Sequence, residues 1–276
     1  MLRLPSFTES LEVARGWGHN SYAPHLWNGL VADWNFLQGG GSTLYDIAGG
    51  NHGTLTNMDP STDWVMTENG WALKWAYGTG SVTRVEIPKD WTSELLASGY
   101  TFYCRIWLDT ALLSRDALLL TATNTANGLG LNTRADRFVF THKVDGVSTN
   151  ASDEDVNALD KFYSLAATYD GTTVRFYLDG DLKSGTNSGD ALSGRKDQYT
   201  VIGGEFLQGN IPNAAIWNRA LQPSEIQQLY DDPHAMHRRR PTVVPFIDAA
   251  PPASAIMNQI QFRNLGSDLF NGTLIP

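Results

Sequence analysis

Cysteine is nearly absent: Cys104 is the single one in 276 residues. No disulfide can therefore form within the chain. Cys104 lies in the alternating segment 100–107 and is expected to be a buried thiol on a strand. Basic charge is also scarce. Lys and Arg total 20 against 29 Asp and Glu, a net charge of −9. That is the wrong sign for a face that grips nucleic acid. An acidic surface suits solubility and attracts cations. Charged residues make up only 18% of the chain, too few for long solvated helices. No stretch approaches the roughly 18 apolar residues of a membrane-spanning helix, so no membrane insertion is expected. Residues 1–10 lack a basic region followed by an apolar run, so no signal peptide is expected. Synthesis in a cytoplasm follows, with exit by lysis, within a particle or by a leaderless route.

Catalytic signatures are missing too. The chain contains no His-Glu-x-x-His and no Gly-x-Ser-x-Gly, and Gly128-Leu129-Gly130 is too short for a dinucleotide loop. A glycosidase needs two carboxylates about 5–10 Å apart across a cleft. No strand candidate carries alternating acids. Asp153-Glu154-Asp155 sits among Ser, Asn and Ala, as a solvated loop would. His234 and His237 have weak ligand spacing and are expected to form part of a polar tail.

What the chain does hold is glycine and aromatics: 26 Gly, 9 Trp, 10 Tyr and 11 Phe. These suit short strands and many turns. Leu30, Ala32, Trp34 and Phe36 alternate and place one face inward. A turn at Gly39-Gly40-Gly41 leads to a strand over 44–55 that a glycine-studded loop interrupts. Gly49, Gly50 and Gly53 give that loop access to positive φ. Further strands are predicted over 71–75, 81–87, 100–108, 117–122, 128–132, 137–143, 162–169, 173–178, 199–202 and 211–217, a spacing typical of sandwiches. Asp170-Gly171 signals a hairpin, and Asp145-Gly146 and Asp179-Gly180 mark two more turns. One helix is predicted over 223–230. Pro223 opens it, Glu225 sits in its first turn, and Ile226, Leu229 and Tyr230 share a face. Pro233 ends it. Residues 257–262 could add one more strand inside a tail broken by Pro245, Pro251 and Pro252. The reading is an N-terminal extended arm over 1–28, a sandwich over 29–232, and a C-terminal Pro- and Arg-containing arm over 233–276.

Three segments together resemble the laminin-G-like, concanavalin A-like jelly-roll family. The first is Leu30-Val31-Ala32-Asp33-Trp34 with the loop from Asp46 through Gly53-Thr54-Leu55. The second runs from Ala167-Thr168-Tyr169-Asp170-Gly171 to Leu178-Asp179-Gly180. The third is Ile202-Gly203-Gly204, then Ile216-Trp217-Asn218-Arg219-Ala220-Leu221 with Glu225-Ile226. Their order and spacing span residues 29–232. The resemblance implies an all-β fold: a two-sheet antiparallel jelly-roll sandwich with one short C-terminal helix and extended arms. The stretch Leu26-Trp27-Asn28-Gly29-Leu30-Val31, with Asn51-His52-Gly53-Thr54-Leu55-Thr56-Asn57-Met58-Asp59-Pro60-Ser61-Thr62-Asp63-Trp64 and a tail from Asp232-Pro233 to Arg240, is similar to jelly-roll proteins encoded among tailed-phage structural genes.

These resemblances set the functional expectations. The family often holds one Ca²⁺ at the sandwich edge, which implies Asp46 and Asn51 from the glycine loop and Asn213 from the last strand. Ca²⁺ takes about six to eight oxygens, and Pro212 stands where the family has an acid. Trp64, Trp71, Trp75, Trp91, Trp107 and Trp217 include the aromatics that could stack on a sugar. Most belong to the core, and Trp91, in a turn-like setting, is the one expected to be exposed for a glycan. Arg238, Arg239 and Arg240 are expected to dock on an acidic partner surface. The phage likeness implies a non-enzymatic virion structural or adhesion protein: a capsid decoration, head fibre or tail-associated component. It would be anchored through both arms to other virion proteins, assembled as a homo-oligomer, and turned toward host-surface glycans. A cellular carbohydrate-binding module and a glycoside hydrolase stay open as alternatives.

Overall fold

A computed structural model describes residues 21–76, 82–109, 116–122, 127–134, 137–153, 159–183, 186–188, 199–204 and 207–238. The first sheet is built from β1 (Leu30–Trp34), β4 (Trp64–Thr67), β5 (Gly70–Trp75), β7 (Tyr100–Leu108), β12 (Phe162–Tyr169), β13 (Val174–Leu178), β14 (Asp181–Lys183) and β17 (Gly209–Trp217). Its order is β14-β13-β12-β7-β17-β5-β4, with β1 also paired to β17. The second contains β2 (Thr43–Leu44), β3 (Gly53–Thr56), β6 (Arg84–Ile87), β8 (Asp116–Ala122), β9 (Gly128–Arg134), β10 (Arg137–Val144), β11 (Val147–Asp153), β15 (Thr186–Ser188) and β16 (Tyr199–Ile202). Its order is β15-β11-β10-β9-β8-β16-β6-β3-β2. Every pairing among the described strands is antiparallel. The expected two-sheet antiparallel sandwich is what forms.

The period-two pattern explains the layering. On β7, Phe102, Cys104, Ile106 and Leu108 point into the main core. There they share one buried cluster with Leu129 and Leu131 of β9 and Phe138 and Phe140 of β10. Tyr103 points the other way, into a second cluster with Tyr177, Ala215, Trp217, Leu26, Ile226 and Leu229. The first sheet is therefore covered on both faces. On its outer face lie α2 (Pro223–Asp231) and two 3₁₀ turns, Pro24–Trp27 and Ala235–His237. The Tyr103 hydroxyl donates to the Leu229 carbonyl at 3.1 Å, tying helix to sheet.

The sequence signals and the structure agree at the turns. Asp145 and Gly146 both take positive φ, 48° and 81°, as do Asp179 and Gly180, 52° and 85°. Paired positive φ is the geometry of a tight hairpin whose twist matches the strands. The first joins β10 to β11 and the second joins β13 to β14. Asp170-Gly171 joins β12 to β13 as expected. Helix α2 begins with a capping box, in which Gln222 and Glu225 satisfy each other's backbone N–H.

Three local expectations change. Residues 92–98 form an unforeseen short helix, α1 (Thr92–Ser98). The Asp90 carboxylate accepts the Thr92 backbone N–H at 2.8 Å, and Gly99, at φ 79°, stops the helix. Residues 24–28 and 234–237, assigned above to extended arms, are folded onto the sandwich, with Ala23, Leu26, Ala235 and Met236 buried. Strands β4 and β11 were missed because neither shows clean alternation; β11 is almost wholly polar. The predicted strand over 257–262 and most of both arms lie outside the described residues.

Candidate functional site

The loop between β1 and β3 is organised around one carboxylate. Asp46 is buried. Its Oδ1 accepts the backbone N–H of Asp33 at 2.9 Å and of Ala48 at 2.9 Å. Its Oδ2 accepts the Asn51 backbone N–H at 2.8 Å and the Asn51 side-chain N–H at 3.3 Å. The Gly49 N–H reaches both oxygens. Gly49 must be glycine here: a Cβ would meet the Val31 carbonyl and the Asn51 side chain. Asp46 and Asn51, two of the three residues expected to hold Ca²⁺, are thus brought together. Asn213 is not joined to them by any hydrogen bond; it lies on β17 with both amide atoms unpartnered. The donor set does not fit a cation, because N–H hydrogens occupy the carboxylate from both sides and a metal would have to displace them. Among the described residues, no group of three or more His, Cys, Asp and Glu side chains could hold a metal ion.

The same loop shapes an open groove of about 430 Å³ lined by Gln38, Gly40, Gly41, Ser42, Thr43 and Tyr45. Gln38 staples its floor. The amide N–H₂ donates to the Gly40 carbonyl at 3.0 Å and to the Thr43 carbonyl, and the amide oxygen accepts the Tyr45 N–H at 2.9 Å. The Trp64 indole N–H donates to the Gly41 carbonyl at 2.9 Å. Gly39 has φ 62°, and a Cβ on it would run into the Trp71 ring at 2.5 Å. Gly40 and Gly41 face open space where a Cβ would stand. The glycine run therefore serves twice, for close packing at its first member and for an open groove at the next two. Tyr45 forms one wall. Its ring meets the His52 ring edge-on, with centroids 4.9 Å apart. The His52 Nδ1 accepts the Asp46 N–H at 3.1 Å, so in the neutral imidazole the proton sits on Nε2.

A half-buried phenol ring beside two hydroxyl side chains and glycine backbone is the chemistry that holds a small polar ring: a stacking face with hydrogen-bonding groups around it. A sequence profile for the concanavalin A-like lectin/glucanases superfamily, of the laminin-G type, matches residues 79–227, more than half of the chain. The chain belongs to this superfamily. No curated protein sequence matches it. Among solved structures, the superfamily member described here is similar to Trypanosoma rangeli sialidase, with TM-score 0.58 and 16% identity over 83% of this chain and 39% of the sialidase. It also resembles the receptor-binding domain of botulinum neurotoxin D, with TM-score 0.55 and 13% identity over 75% of this chain and 53% of that one. The type G neurotoxin domain gives TM-score 0.50 and 15% identity over 74% of this chain and 51% of that domain. At these identities the likeness is one of fold. The chain spans about two fifths of the sialidase and half of the toxin domains.

Other expectations for this superfamily member need correction. Trp91 is not an exposed platform. It is 2% exposed, packed edge-on against Trp34 with centroids 5.8 Å apart. Its turn-like setting is the entry to α1, which carries Trp91 and Leu95 into the main core. A buried ring offers no face to a sugar. Trp64, Trp75 and Trp217 are also buried, while Trp71 and Trp107 are partly exposed. Arg238 is exposed and pairs with Asp232 on its own chain; Arg239 and Arg240 lie outside the described residues. His237 is no part of a solvated tail: it is 5% exposed and hydrogen-bonded to Asp33. The groove residues Gln38, Ser42, Thr43 and Tyr45 were not anticipated. The one sequence signal for them was the Gly39-Gly40-Gly41 run.

Proposed function

We propose that this chain is a non-enzymatic, lectin-like adhesion module that binds a glycan in the 38–45 groove and serves as a structural component of a virion. The observation that carries the glycan reading is the groove itself: open, about 430 Å³, with Tyr45 as one wall and the hydroxyl groups of Ser42 and Thr43 in its lining. That volume suits a small ligand. Membership of a lectin and glucanase superfamily supports it. So does the company the fold keeps, which includes a sialidase solved with sialic acid and toxin receptor-binding domains. The groove lining brings no carboxylate, whereas glycoside hydrolysis uses a pair. The neighbouring acid, Asp46, is committed to loop N–H groups.

The virion part rests on the likeness of residues 26–64 and of the Arg-rich tail to phage structural proteins. It is supported by a contact between the first and last described segments: the Tyr22 N–H donates to the Arg238 carbonyl at 3.0 Å. Segments leaving from one point could tether the sandwich to other virion subunits or to further copies of itself, with the groove free. The deciding experiment is a glycan array with wild type and Tyr45→Ala. Binding that the variant loses, while its thermal unfolding stays unchanged, supports the proposal. No bound glycan at all, or binding indifferent to Tyr45, overturns it. Electron microscopy of purified particles, probed with an antibody to this chain, tests the location; particles without label would remove the virion part.

A further inference from the structure

Strand β17 changes partners along its length. Gly209–Ile211 lies against β5, and Ala214–Trp217 lies against β1. Asn213 stands at the fork, opposite Arg105 of β7. Asp33 of β1 faces Ala215, so Asp33, Asn213 and Arg105 share the outer face of the first sheet. Residues 234–238 close over them. The His237 Nε2–H donates to Asp33 Oδ2 at 2.6 Å, with both side chains almost wholly buried. The His234 Nε2–H donates to the Asn69 carbonyl at 3.0 Å. The two imidazole rings lie 6.0 Å apart.

This cluster is under-satisfied. Asp33 Oδ1, Arg105 Nε, both amide atoms of Asn213, and Nδ1 of His234 and of His237 are buried without a hydrogen-bond partner in the protein. Apolar packing would close the fork more cheaply, since a buried polar atom without a partner costs roughly 1–3 kcal/mol. The lid itself is anchored at only a few points. Ala235 and Met236 sit in the outer apolar cluster, the Trp27 indole N–H donates to the Met236 carbonyl at 2.9 Å, and the Arg238 carbonyl accepts the Tyr22 N–H.

We propose that residues 234–238 form an acid-released plug, seated on the Asp33–Asn213–Arg105 fork at neutral pH and released in mild acid, which also breaks its contact with Tyr22. The charged and titratable groups facing it are Asp33 on β1, Arg105 on β7 and Asp232 at the end of α2, with His234, His237 and Arg238 on the segment itself. Arg238 pairs with Asp232. Protonating His234 would set another cation near Arg105 and bury an Nδ1–H with no acceptor. Burial holds His234 below the ordinary histidine value. The Asn69 carbonyl and Asp232 oppose that shift, while His237 and Arg105 reinforce it. The sign follows. The released segment takes the proton more readily than the seated one, so seating is favoured above the ordinary histidine value and is lost as pH falls below it.

The test is hydrogen–deuterium exchange on the full chain at about pH 7.5 and about pH 5.5, corrected for the intrinsic pH dependence of exchange. The expected result is that the amides of Tyr22, His237 and Arg238 lose protection severalfold in acid, with a ceiling of about tenfold for one histidine, while β7 and β12 keep theirs. The variant His234→Gln retains a donor for Asn69 and should abolish that loss. Protection unchanged with pH overturns the proposal. So does equal loss in β7, which would be global unfolding, or an acid response that survives in His234→Gln. The outcome is independent of whether the groove binds a glycan.

Discussion

Asn51 grips the Asp46 carboxylate twice, through its backbone N–H at 2.8 Å and its side-chain Nδ2 at 3.3 Å. Together with Asp33, Ala48 and Gly49, it makes the carboxylate the hub of the loop that carries Tyr45 and His52. Asp46→Ala would leave buried N–H groups without an acceptor. The expected cost is about 3 kcal/mol or more, since hydrogen bonds to a charged group contribute roughly 1.5–3 kcal/mol each. Urea unfolding of the variant measures it. Millimolar calcium should leave the wild-type Tm where it is; a calcium-dependent rise absent from Asp46→Ala would reinstate a metal role for this loop.

Trp91 bears on stability and not on recognition. Its ring is sealed between Trp34 and the core end of α1. Trp91→Ala should destabilise by about 3–5 kcal/mol, the range for truncating a large buried aromatic. Glycan binding measured well below the new Tm should be unaffected. A selective loss of binding with stability intact would reverse this assignment.

Cys104 is wholly buried on the inner face of β7, and burial pushes its thiol far above the usual range. A thiol that does not ionise and cannot be reached is unreactive. Ellman's reagent at mildly alkaline pH should leave the native protein unlabelled and should react fully once denaturant is added. Prompt labelling of the folded chain would show that the sandwich opens here.

At the β12–β13 turn, the Asp170 carboxyl is held down to about 2. The Arg175 guanidinium contributes most, at 2.5 Å, followed by the backbone N–H groups of Thr173 and Thr172. A carboxylate lowered on folding stabilises the hairpin above its unfolded value, and the contribution fades as pH falls through the folded one. NMR titration of Asp170 should give a midpoint near the folded value. Arg175→Ala should move it toward the ordinary 3.8. A wild-type midpoint already at 3.8 would mean that solvent screens the pair.

Local chemistry made much of the sandwich legible. Segments 100–108, 162–169 and 199–202 read correctly because one alternating face is apolar and the other is covered. Asp145-Gly146 and Asp179-Gly180 read correctly because few residue pairs tolerate consecutive positive φ. Strand β11, Val-Ser-Thr-Asn-Ala-Ser-Asp, did not read, because its pairing with β10 supplies what its side chains do not announce. Trp91 was misplaced for the converse reason. A turn-like neighbourhood says nothing about which body the turn packs against.

The order of residues by itself fixed the alternating strands, the hairpin turns and the span of α2, since each depends on near neighbours or on period-two burial, while the two-sheet layering was implied by the resemblance. Only the tertiary structure decided which polar groups meet. Asp33 and His237 lie 204 positions apart, yet share a hydrogen bond of 2.6 Å. The Trp27 indole N–H and the Met236 carbonyl, 209 positions apart, meet at 2.9 Å. Such meetings depend on how the sheets stack and where the chain ends return, and no local pattern of residues encodes that.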